Sequence, residues 1–324
     1  MIIVTGGAGF IGSAMVWQLN EMGYKDLLVV DNLGSAPGKK KNLEGLKYSD
    51  YLHKDEFLKR VEKGKALKGV EGIFHMGACS STTERDLEYL RHNNFEYTRV
   101  LAEKCLAGNV RFIYASSAAT YGNGEQGYAD SDELIPKLKP LNPYGQSKQD
   151  FDLWALENKV QNKMVGLKFF NVFGPNEYHK NDMRSMVHKG WGQVKKTKKL
   201  GLFKSYKPEY KDGGQLRDFV YVKDTLKVMQ FFWEHPELGG IYNVGTGKAQ
   251  SWNDLAAALF GALEIPLKIE YIPMPESIRN QYQYYTEADL RKLRSVGCDI
   301  EFLPLSDAVA DYVKNYLETE KPYL

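Results

Sequence analysis

Cysteine is scarce in this 324-residue chain, and the cysteines present are not spaced as metal ligands or as disulfide partners. Cys79, Cys105 and Cys298 are widely separated, and there is no CxxC pair and no His-x-x-x-His pair. Such pairs are the usual signature of zinc sites, so no metal is expected. A sparse, odd set of cysteines fits a reducing compartment and excludes a disulfide-rich miniprotein.

Long apolar runs and an excess of one charge are also lacking. No run approaches the roughly 18 apolar residues that a membrane helix needs, so no membrane association is expected. Residues 1–6 carry no basic leader, which favours a cytoplasmic enzyme over a secreted one. Lys and Arg together number 43 against 41 Asp and Glu, and this balance argues against a dedicated nucleic-acid binder.

Short apolar runs alternate with helical patterns along a chain of ordinary globular composition. Hydrophobic residues make up 43% of the sequence and charged residues 26%, and the length predicts about two domains. Strands are predicted at 2–5, 27–31, 72–78, 111–117, 164–172, 218–222, 241–244 and 269–272. Helices are predicted at 13–22, 55–63, 86–107, 144–157, 224–234, 252–263, 286–296 and 305–317.

This alternation predicts an α/β fold with a Rossmann-type, doubly wound parallel sheet. Residues 1–170 are predicted to form a dinucleotide-binding domain that residues 217–247 complete. Residues 171–216 and 248–324 are predicted to form a smaller α/β substrate-binding domain toward the C-terminus. The pattern loosens over residues 176–216, which are polar, rich in lysine and aromatic.

A glycine-rich segment, TGGAGFIG at residues 5–12, lies between the first predicted strand and the first predicted helix. Gly6, Gly9 and Gly12 have the spacing of a dinucleotide loop, in which glycines make the turn, admit the pyrophosphate and allow close packing. The helix N-terminus then offers free N–H groups to phosphate. Asp31 ends the second strand 19 residues after Gly12, as expected of a dinucleotide site.

The choice between NAD and NADP stays open at this point. A carboxylate at Asp31 accepts hydrogen bonds from the adenosine ribose hydroxyls, which favours NAD. A 2′-phosphate beside that carboxylate needs a nearby cation, and Lys39 and Lys54 are candidates, with Asn32 as a neutral neighbour.

Tyr144 and Lys148 are the candidate reactive pair. They stand at i and i+4 of a predicted helix and therefore share one face. A nearby ammonium favours the phenolate, so the pair is expected to have a lowered tyrosine pKa and to exchange a proton with an alcohol or ketone. Ser117 ends a predicted strand, at the sheet edge where ligands bind, and is placed to hydrogen-bond the reacting oxygen.

Taken in order, several of these segments resemble the extended short-chain dehydrogenase/reductase family, whose members act on nucleotide sugars. The segments are TGGAGFIG (5–12), Asp31, YASSAATYG (114–122), YGQSK (144–148), RDFVYVKD (217–224) and YNVGTG (242–247). Within that family, a second set resembles the branch that epimerises ADP-linked heptoses. That set is HMGACSSTTE (75–84), Asn93-Asn94, FFNVFGPNEYHK (169–180) and QYQYYTEADL (281–290).

The resemblance implies an isomerase that inverts C6″ of ADP-D-glycero-D-manno-heptose for the lipopolysaccharide inner core. It implies transient oxidation to a 6″-ketone and re-reduction by one tightly bound NADP per subunit, with NAD as the alternative. Tyr144 matches the family base, Lys148 lies beside the nicotinamide ribose, and Lys180 matches a second acid/base group. The family also forms homo-oligomers, often pentamers.

The resemblance further implies two sets of binding residues. For the cofactor they are Gly6, Gly9, Phe10, Ile11, Gly12, Asp31, Asn32, Lys39, Lys54, Met76, Gly77, Ala78, Cys79, Ser80, Asn93, Lys148, Val172 and Lys180. For the ADP-heptose they are Ser117, Asn171, Asp182, Phe203, Lys204, Ser205, Tyr206, Arg217 and Tyr282.

Three other interpretations compete with this one. A UDP-hexose 4-epimerase is the nearest rival, and Lys180 and the segment 75–84 argue against it. A nucleotide-sugar 4,6-dehydratase carries an acidic pair where Ala118 and Ala119 stand here, so its elimination chemistry lacks an acid. A non-catalytic NADP-binding scaffold has no need of the complete set of Ser117, Tyr144 and Lys148.

Overall fold

The described residues of this computed structural model, 1–279 and 282–324, contain three β-sheets surrounded by helices. The strands are β1 (Ile2–Thr5), β2 (Leu27–Asp31), β3 (Asp50–His53), β4 (Gly72–His75), β5 (Arg111–Ser117), β6 (Val165–Phe169), β7 (Asn171–Phe173), β8 (Leu200–Phe203), β9 (Leu216–Tyr221), β10 (Gly240–Val244), β11 (Ala249–Ser251) and β12 (Ile269–Ile272). The α-helices are α1 (Phe10–Glu21), α2 (Lys54–Glu62), α3 (Leu87–Leu90), α4 (Tyr97–Ala107), α5 (Pro143–Glu157), α6 (Met186–Thr197), α7 (Val222–Glu234), α8 (Trp252–Ala262), α9 (Glu276–Arg279), α10 (Arg291–Ser295) and α11 (Leu305–Tyr312).

The largest sheet has seven parallel strands in the order β10-β6-β5-β4-β1-β2-β3. The chain leaves β1 toward β2 and β3 on one side, then returns to β4 and continues on the other side. This reversal is the doubly wound topology, and it opens a crevice at the carboxyl ends of β1 and β4 where ligands bind. The α/β fold with a Rossmann-type sheet is therefore confirmed.

Both faces of this sheet are covered, which explains why its strands are apolar throughout. Successive residues of a strand point to opposite faces, and the two faces of β1 illustrate this. Ile2 and Val4 belong to one core with residues of α1 and α7, while Ile3 belongs to a second core with residues of α2, α4 and α5. A parallel sheet buried on both sides leaves no polar alternation in its strands.

The prediction of one strand over 164–172 is wrong, because the chain changes sheets at Phe170. β6 lies in the large sheet, whereas β7 pairs with β9 in a three-stranded sheet of order β11-β9-β7. The Phe170 N–H donates to the carbonyl oxygen of Val244 at 3.0 Å, which holds the crossing residue against β10. Phe170 itself suits a strand, and Gly166 and Asn171, the residues least suited to one, both lie within strands, so composition does not reveal the break.

Two predicted helices also differ from the structure. The helix over 86–107 is interrupted by a π-helical segment, Arg91–Glu96, and the helix over 286–296 is reduced to α10. The residues before α10 are extended. The Leu216 N–H donates to the carbonyl oxygen of Tyr284, and the Thr286 N–H donates to the carbonyl oxygen of Leu216. Backbone pairing with β9 replaces the helix that the sequence pattern favoured.

Residues 176–216, where the sequence predicted no helix or strand, contain regular structure. α6 starts after Ser185, whose hydroxyl accepts a hydrogen bond from the His188 N–H at 3.2 Å and so caps the helix. β8 follows and pairs in parallel with β12 to form a two-stranded sheet. β3 and β11 are two further strands that the sequence pattern does not predict.

α7 packs on α1, where the Gln18 side chain donates to that of Gln230 at 2.8 Å, and β10 completes the edge of the large sheet. The division into two domains stays a prediction.

Of the segment 281–290, which carries part of the family resemblance, Gln281 lies outside the described residues. In the described part of the chain, no helix has both the length and the apolar character needed to cross a membrane.

Candidate active site

A cavity of about 760 Å³ lies over the carboxyl ends of the large sheet. Its wall includes Thr5, Asp31, Ser117 and Phe169, which end β1, β2, β5 and β6 respectively. Small-molecule sites commonly have volumes of roughly 300–1,000 Å³ and occupy this position in doubly wound sheets. The volume therefore suits a dinucleotide together with part of a second ligand.

The glycine segment forms a close-packed cradle at one end of the cavity. Gly6 has φ +63°, and a Cβ there would lie 2.6 Å from the backbone nitrogen of Gly77. A Cβ on Gly12 would overlap the carbonyl oxygen of Gly6. Gly9 caps α1 without any side-chain hydrogen bond, so the N-terminal amides of α1 are turned toward the cavity.

Asp31 lies at the far side of this cradle and is tied into the structure by both carboxylate oxygens. One oxygen accepts the Ala8 N–H at 2.8 Å, and the other lies 2.5 Å from the Lys39 ammonium. The Lys39 side chain is mostly buried and Lys54 also lines the cavity. The acidic ribose-binding position is thus offset by a cation in contact with it.

Tyr144, Lys148 and Ser117 meet in the middle of the cavity wall. Tyr144 and Lys148 come from the first turns of α5, which begins after the Asn142 cap, and Ser117 ends β5. The Lys148 ammonium donates to the carbonyl oxygen of Ala115 at 2.7 Å and is almost fully buried. The residues that the sequence pattern paired are therefore brought together.

The expected lowering of the Tyr144 pKa is wrong for the protein alone. Burial raises the pKa of Tyr144 above its usual value, and a hydrogen bond with Ser117 opposes this only in part. Burial also lowers the pKa of Lys148 to about 8, with the charge of Asp152 opposing the shift. Loss of solvation is thus the largest cause of the pKa shift of each group.

Lys180 lies in a short 3-10 segment, Tyr178–Met183, on another side of the cavity. Its ammonium stands 5.2 Å from the centre of the Phe10 ring, which links it to the start of α1. Burial lowers the pKa of Lys180, and the carboxylate of Glu177 opposes the shift. The next residue, Asn181, has φ 48° and ψ −122°, a strained conformation of the kind found at functional sites.

Most of the residues predicted to bind cofactor or substrate line this one cavity. They are Gly6, Gly9, Phe10, Ile11, Gly12, Asp31, Asn32, Lys39, Lys54, Met76, Gly77, Ala78, Ser80, Asn93, Ser117, Tyr144, Lys148, Asn171, Val172, Lys180, Phe203 and Tyr282. Among the described residues, those predicted but absent from its wall are Cys79, Asp182, Lys204, Ser205, Tyr206 and Arg217.

Arg217 is the most informative of the residues that do not reach the cavity. Its guanidinium donates to the backbone carbonyls of Leu216 and Gln283. It also packs 5.1 Å from the centre of the Tyr282 ring, which itself lines the cavity. In this conformation Arg217 supports an aromatic wall and does not present a fork to a diphosphate.

Other predicted residues are held by local contacts. The Cys79 backbone exchanges hydrogen bonds with the Asn94 side chain at 2.8 and 3.0 Å. Asp182 is exposed, and its backbone carbonyl oxygen accepts a hydrogen bond from the Lys189 ammonium at 3.2 Å. Tyr206 is also exposed and stacks under the Arg279 guanidinium at 4.1 Å.

The cavity wall also contains residues that sequence reasoning did not assign. They are chiefly Tyr89, Tyr97, Phe170, His179, Met183, Arg184, Met186, Lys189, Trp252, Leu255 and Ile272. Several come from residues 178–189, where no hydrophobic period predicted structure. The available signal was the density of Lys and Arg in that stretch.

The cavity is electropositive. Among the described residues of its wall, the cations are Lys39, Lys54, Lys148, Lys180, Arg184 and Lys189, against a single carboxylate, Asp31. A cavity lined by one sign of charge attracts ligands of the other sign.

No cluster of three or more metal-ligating side chains occurs in the described part of the chain.

Known proteins resemble this chain in sequence over its full length. A profile described as the NAD dependent epimerase/dehydratase family matches residues 2–245. The chain is 52% identical over 324 residues to the ADP-L-glycero-D-manno-heptose-6-epimerase of Nitratidesulfovibrio vulgaris (strain DP4), and the match covers 100% of both chains.

Solved structures resemble it as well. The ADP-L-glycero-D-manno-heptose-6-epimerase of Helicobacter pylori has a TM-score of 0.80 and 30% identity, covering 97% of this chain and 95% of that one. MoeE5, solved with UDP-glucose and NAD, has a TM-score of 0.75 and 25% identity, covering 97% of each chain. The similarity in structure therefore extends over nearly all of the fold described above.

Proposed function

We propose that this chain, which belongs to the NAD dependent epimerase/dehydratase family and is an epimerase, inverts C6″ of ADP-D-glycero-D-manno-heptose. The product would be the L-glycero form that supplies the lipopolysaccharide inner core. One observation carries the proposal: a single cavity holds a dinucleotide cradle and two separate proton-transfer groups, Tyr144 and Lys180. Inversion by oxidation and re-reduction requires the ketone to present each face to the hydride donor in turn, so its oxygen changes position, and two separate proton-transfer groups suit the two positions.

A nicotinamide dinucleotide fits the cradle. Gly6 and Gly12 leave no room for a side chain, so the backbone can approach a pyrophosphate, and the amides of α1 supply N–H donors. When bound, a nicotinamide would supply the hydride chemistry by which C6″ is oxidised to a 6″-ketone and then reduced on its opposite face. The residues of this chain hold the reactants and move the protons.

Tyr144 and Lys180 are assigned complementary proton transfers. The raised pKa of Tyr144 keeps its phenol protonated near neutral pH, so it can donate to a carbonyl oxygen. The lowered pKa of Lys180 makes its amine easier to deprotonate, so it can accept a hydroxyl proton. Each turnover leaves Lys180 protonated and Tyr144 deprotonated, and proton exchange with solvent restores both groups before the next one. In the reverse reaction the two groups exchange these roles, and Ser117 orients the reacting oxygen in both directions.

NADP is the proposed form of the cofactor. Asp31 alone would repel a 2′-phosphate, but the Lys39 ammonium 2.5 Å away offsets its charge, and Lys54 adds a second cation to the same wall. NAD is the alternative, since Asp31 can also accept hydrogen bonds from free ribose hydroxyls.

The nucleotide-sugar end of the cavity is proposed to hold the substrate between aromatic walls and cations. Phe203 and Tyr282 both line it, with ring centres 6.2 Å apart in an edge-to-face arrangement. Arg184 and Lys189 line the same cavity and can meet a diphosphate, a role that the conformation of Arg217 does not serve.

Incubation with ADP-D-glycero-D-manno-heptose, followed by NMR of the product, tests the proposal, with UDP-glucose as the control substrate. We expect the L-glycero product, and a C6″-deuterated substrate should keep its deuterium in the product. Denaturation should release NADP from the purified protein. Deuterium lost to solvent, or turnover without a nicotinamide, would disprove the mechanism, and turnover of UDP-glucose alone would favour a hexose 4-epimerase.

We also propose that the enzyme is a homo-oligomer, with a pentamer as the leading candidate from the family resemblance. Light scattering coupled to size-exclusion chromatography measures the assembly mass directly. A monomer at micromolar concentration would contradict this part of the proposal and leave the chemistry unaffected.

A further inference from the structure

The segment that carries Lys180 is held by contacts from three distant parts of the chain. Asn176, the first residue of the stretch 176–183 that contains Lys180, is fully buried with φ 74°. Its side chain donates to the Ser13 hydroxyl at 2.9 Å, on α1. Its amide oxygen accepts the backbone N–H of Leu324 at 3.0 Å, so residues near the far end of the sequence meet the segment at its first residue.

Tyr178, two residues before Lys180, contacts the same stretch at residues 322–324. Its hydroxyl donates to the carbonyl oxygen of Pro322 at 2.5 Å. Its ring meets that of Tyr323 edge to face, with centres 5.0 Å apart and an interplanar angle of 87°. Residues 322–324 are each partly buried, as expected of a stretch packed on this segment.

A third contact comes from the cofactor side. The Asn42 side chain donates to the carbonyl oxygen of Asn176 at 3.0 Å and meets the His179 ring nitrogen at 3.1 Å. Asn42 lies in the same short helical segment as Lys39, which pairs with Asp31. The Lys180 segment is thus clamped between residues 322–324 on one side and the cofactor-binding loop on the other.

These contacts matter because the segment has little regular structure of its own. It is a short 3-10 turn broken at Asn181, whose backbone is strained. Strained backbone persists only where the surroundings hold it in place. Within the described chain, residues 322–324 supply two hydrogen bonds and an aromatic contact to the segment that carries Lys180.

We propose that residues 322–324 are a positioning segment that fixes Lys180 against the substrate, acting through Tyr178 and Asn176. The inference rests on the proposed function, since it takes Lys180 as an acid/base group. It goes beyond that function because residues 322–324 do not line the cavity. They act on the reaction only through the placement of Lys180.

The test compares the double variant Tyr178→Phe/Tyr323→Ala with two controls. The double variant removes the hydroxyl contact to Pro322 and the aromatic contact together. Tyr323→Phe keeps the ring that packs on Tyr178. Tyr242→Phe removes a hydroxyl that donates to the Gly239 carbonyl at 2.8 Å, a matched contact that does not line the cavity.

We expect the double variant to lose roughly tenfold in kcat, the scale of one hydrogen bond plus one aromatic pair, with KM little changed. Hydrogen exchange read by mass spectrometry should be faster in peptides covering 176–185 and unchanged at 144–148. Both controls should match the parent protein. In a Lys180→Met background the double variant should cause no further loss, since its effect passes through Lys180.

Each other result overturns the inference. Unchanged exchange at 176–185 would show that residues 322–324 do not hold the segment. Faster exchange with unaltered kcat would show that the placement is irrelevant to the reaction. An equal loss in the Lys180→Met background would indicate a general structural role. If the parent protein does not turn over the ADP-heptose, the proposed function fails, whereas the exchange measurement still decides whether the segment is held.

Discussion

Lys168 places its ammonium 2.6 Å from a carboxylate oxygen of Asp152, at a point where neither side chain is exposed to solvent. The carboxylate also accepts the Tyr114 hydroxyl at 2.9 Å and the Ser116 hydroxyl at 2.7 Å. Asp152 lies one helical turn beyond Lys148 on α5, and Ser116 precedes Ser117 on β5. This buried pair therefore joins β5, β6 and α5 directly behind the proposed reactive groups.

Removing one partner of this pair should be costly. Lys168→Met leaves the Asp152 carboxylate buried without its cation, and such changes destabilise proteins by about 3–5 kcal/mol. Urea unfolding of the two proteins measures the difference. The control is Glu103→Gln, which breaks the exposed Arg99–Glu103 pair at 2.8 Å and should cost less than about 1 kcal/mol. Equal costs for the two substitutions would contradict the assigned role of burial.

Tyr144→Phe should abolish epimerisation, because the substitution removes the hydroxyl to which we assign proton transfer and keeps the ring. NADP should still copurify, since the glycine cradle and Asp31 are untouched. Product NMR measures the turnover, and absorbance of the released cofactor measures its occupancy. Tyr242→Phe, on β10 and outside the cavity wall, is the matched control, and near-parental turnover of Tyr144→Phe would remove this phenol from the mechanism.

Lys180→Met should reduce kcat by at least ~100-fold, the usual scale for removing an acid/base group. Lys196→Met serves as its control, because Lys196 is an exposed residue of α6 that does not line the cavity. Steady-state turnover at saturating substrate compares the two. A rate unchanged by Lys180→Met would leave inversion with only one assigned proton-transfer group.

Gly12→Ala should prevent cofactor retention, because the added Cβ would overlap the carbonyl oxygen of Gly6. The chain offers a clean control in Gly261, a residue of α8 with open space around its Cβ position. Gly261→Ala should stabilise the protein by up to about 1 kcal/mol, since alanine is the better helix former. Thermal unfolding and NADP content distinguish the two, and a cofactor-loaded Gly12→Ala protein would contradict the close-packed cradle.

Stability should also depend on the Lys148 ammonium at alkaline pH. Burial lowers the pKa of Lys148 to about 8 from its ordinary value of 10.5. Between those values the unfolded chain binds more protons, so this group raises the free energy of unfolding as the pH increases. Below about pH 8 both states are charged, and the cost of burying the ammonium is fully present.

Comparison with Lys148→Met isolates that contribution. From pH 8 to 10.5 the parent protein should gain stability relative to the variant, by roughly 3 kcal/mol at most. Denaturant unfolding of both proteins, without added cofactor, measures the difference at each pH. A constant difference across this range would mean that the ammonium is solvated in the folded protein.

The sequence predicted the strands of the large sheet well. It predicted poorly the part of the cavity wall formed by residues 178–189. β1, β2, β5 and β12 have the predicted bounds, because short apolar runs between turn signals leave few alternatives. The same reasoning failed for the segment 164–172, because most residues of both strands are apolar and the break at Phe170 depends on a partner strand. Tertiary pairing of this kind is invisible to a local pattern.

The site residues likewise fall into those that the sequence predicts and those that depend on tertiary packing. The glycine cradle, Asp31 and the Tyr144–Lys148 pair follow from spacing along single elements. By contrast, the cavity position of Arg184 depends on how residues 178–189 pack, and the inward turn of Arg217 depends on carbonyl groups from a distant stretch. The direction of the Tyr144 pKa was missed because burial of the phenol is a property of the folded protein.

The change of sheets at Phe170 limits how the molecule can move. One residue connects a strand bonded on both sides in the large sheet to a strand bonded in the three-stranded sheet. A one-residue connection between two hydrogen-bonded strands does not allow the large sheet and the three-stranded sheet to move apart at this point. Any opening that admits the proposed nucleotide sugar must therefore come from parts of the cavity wall outside these two sheets.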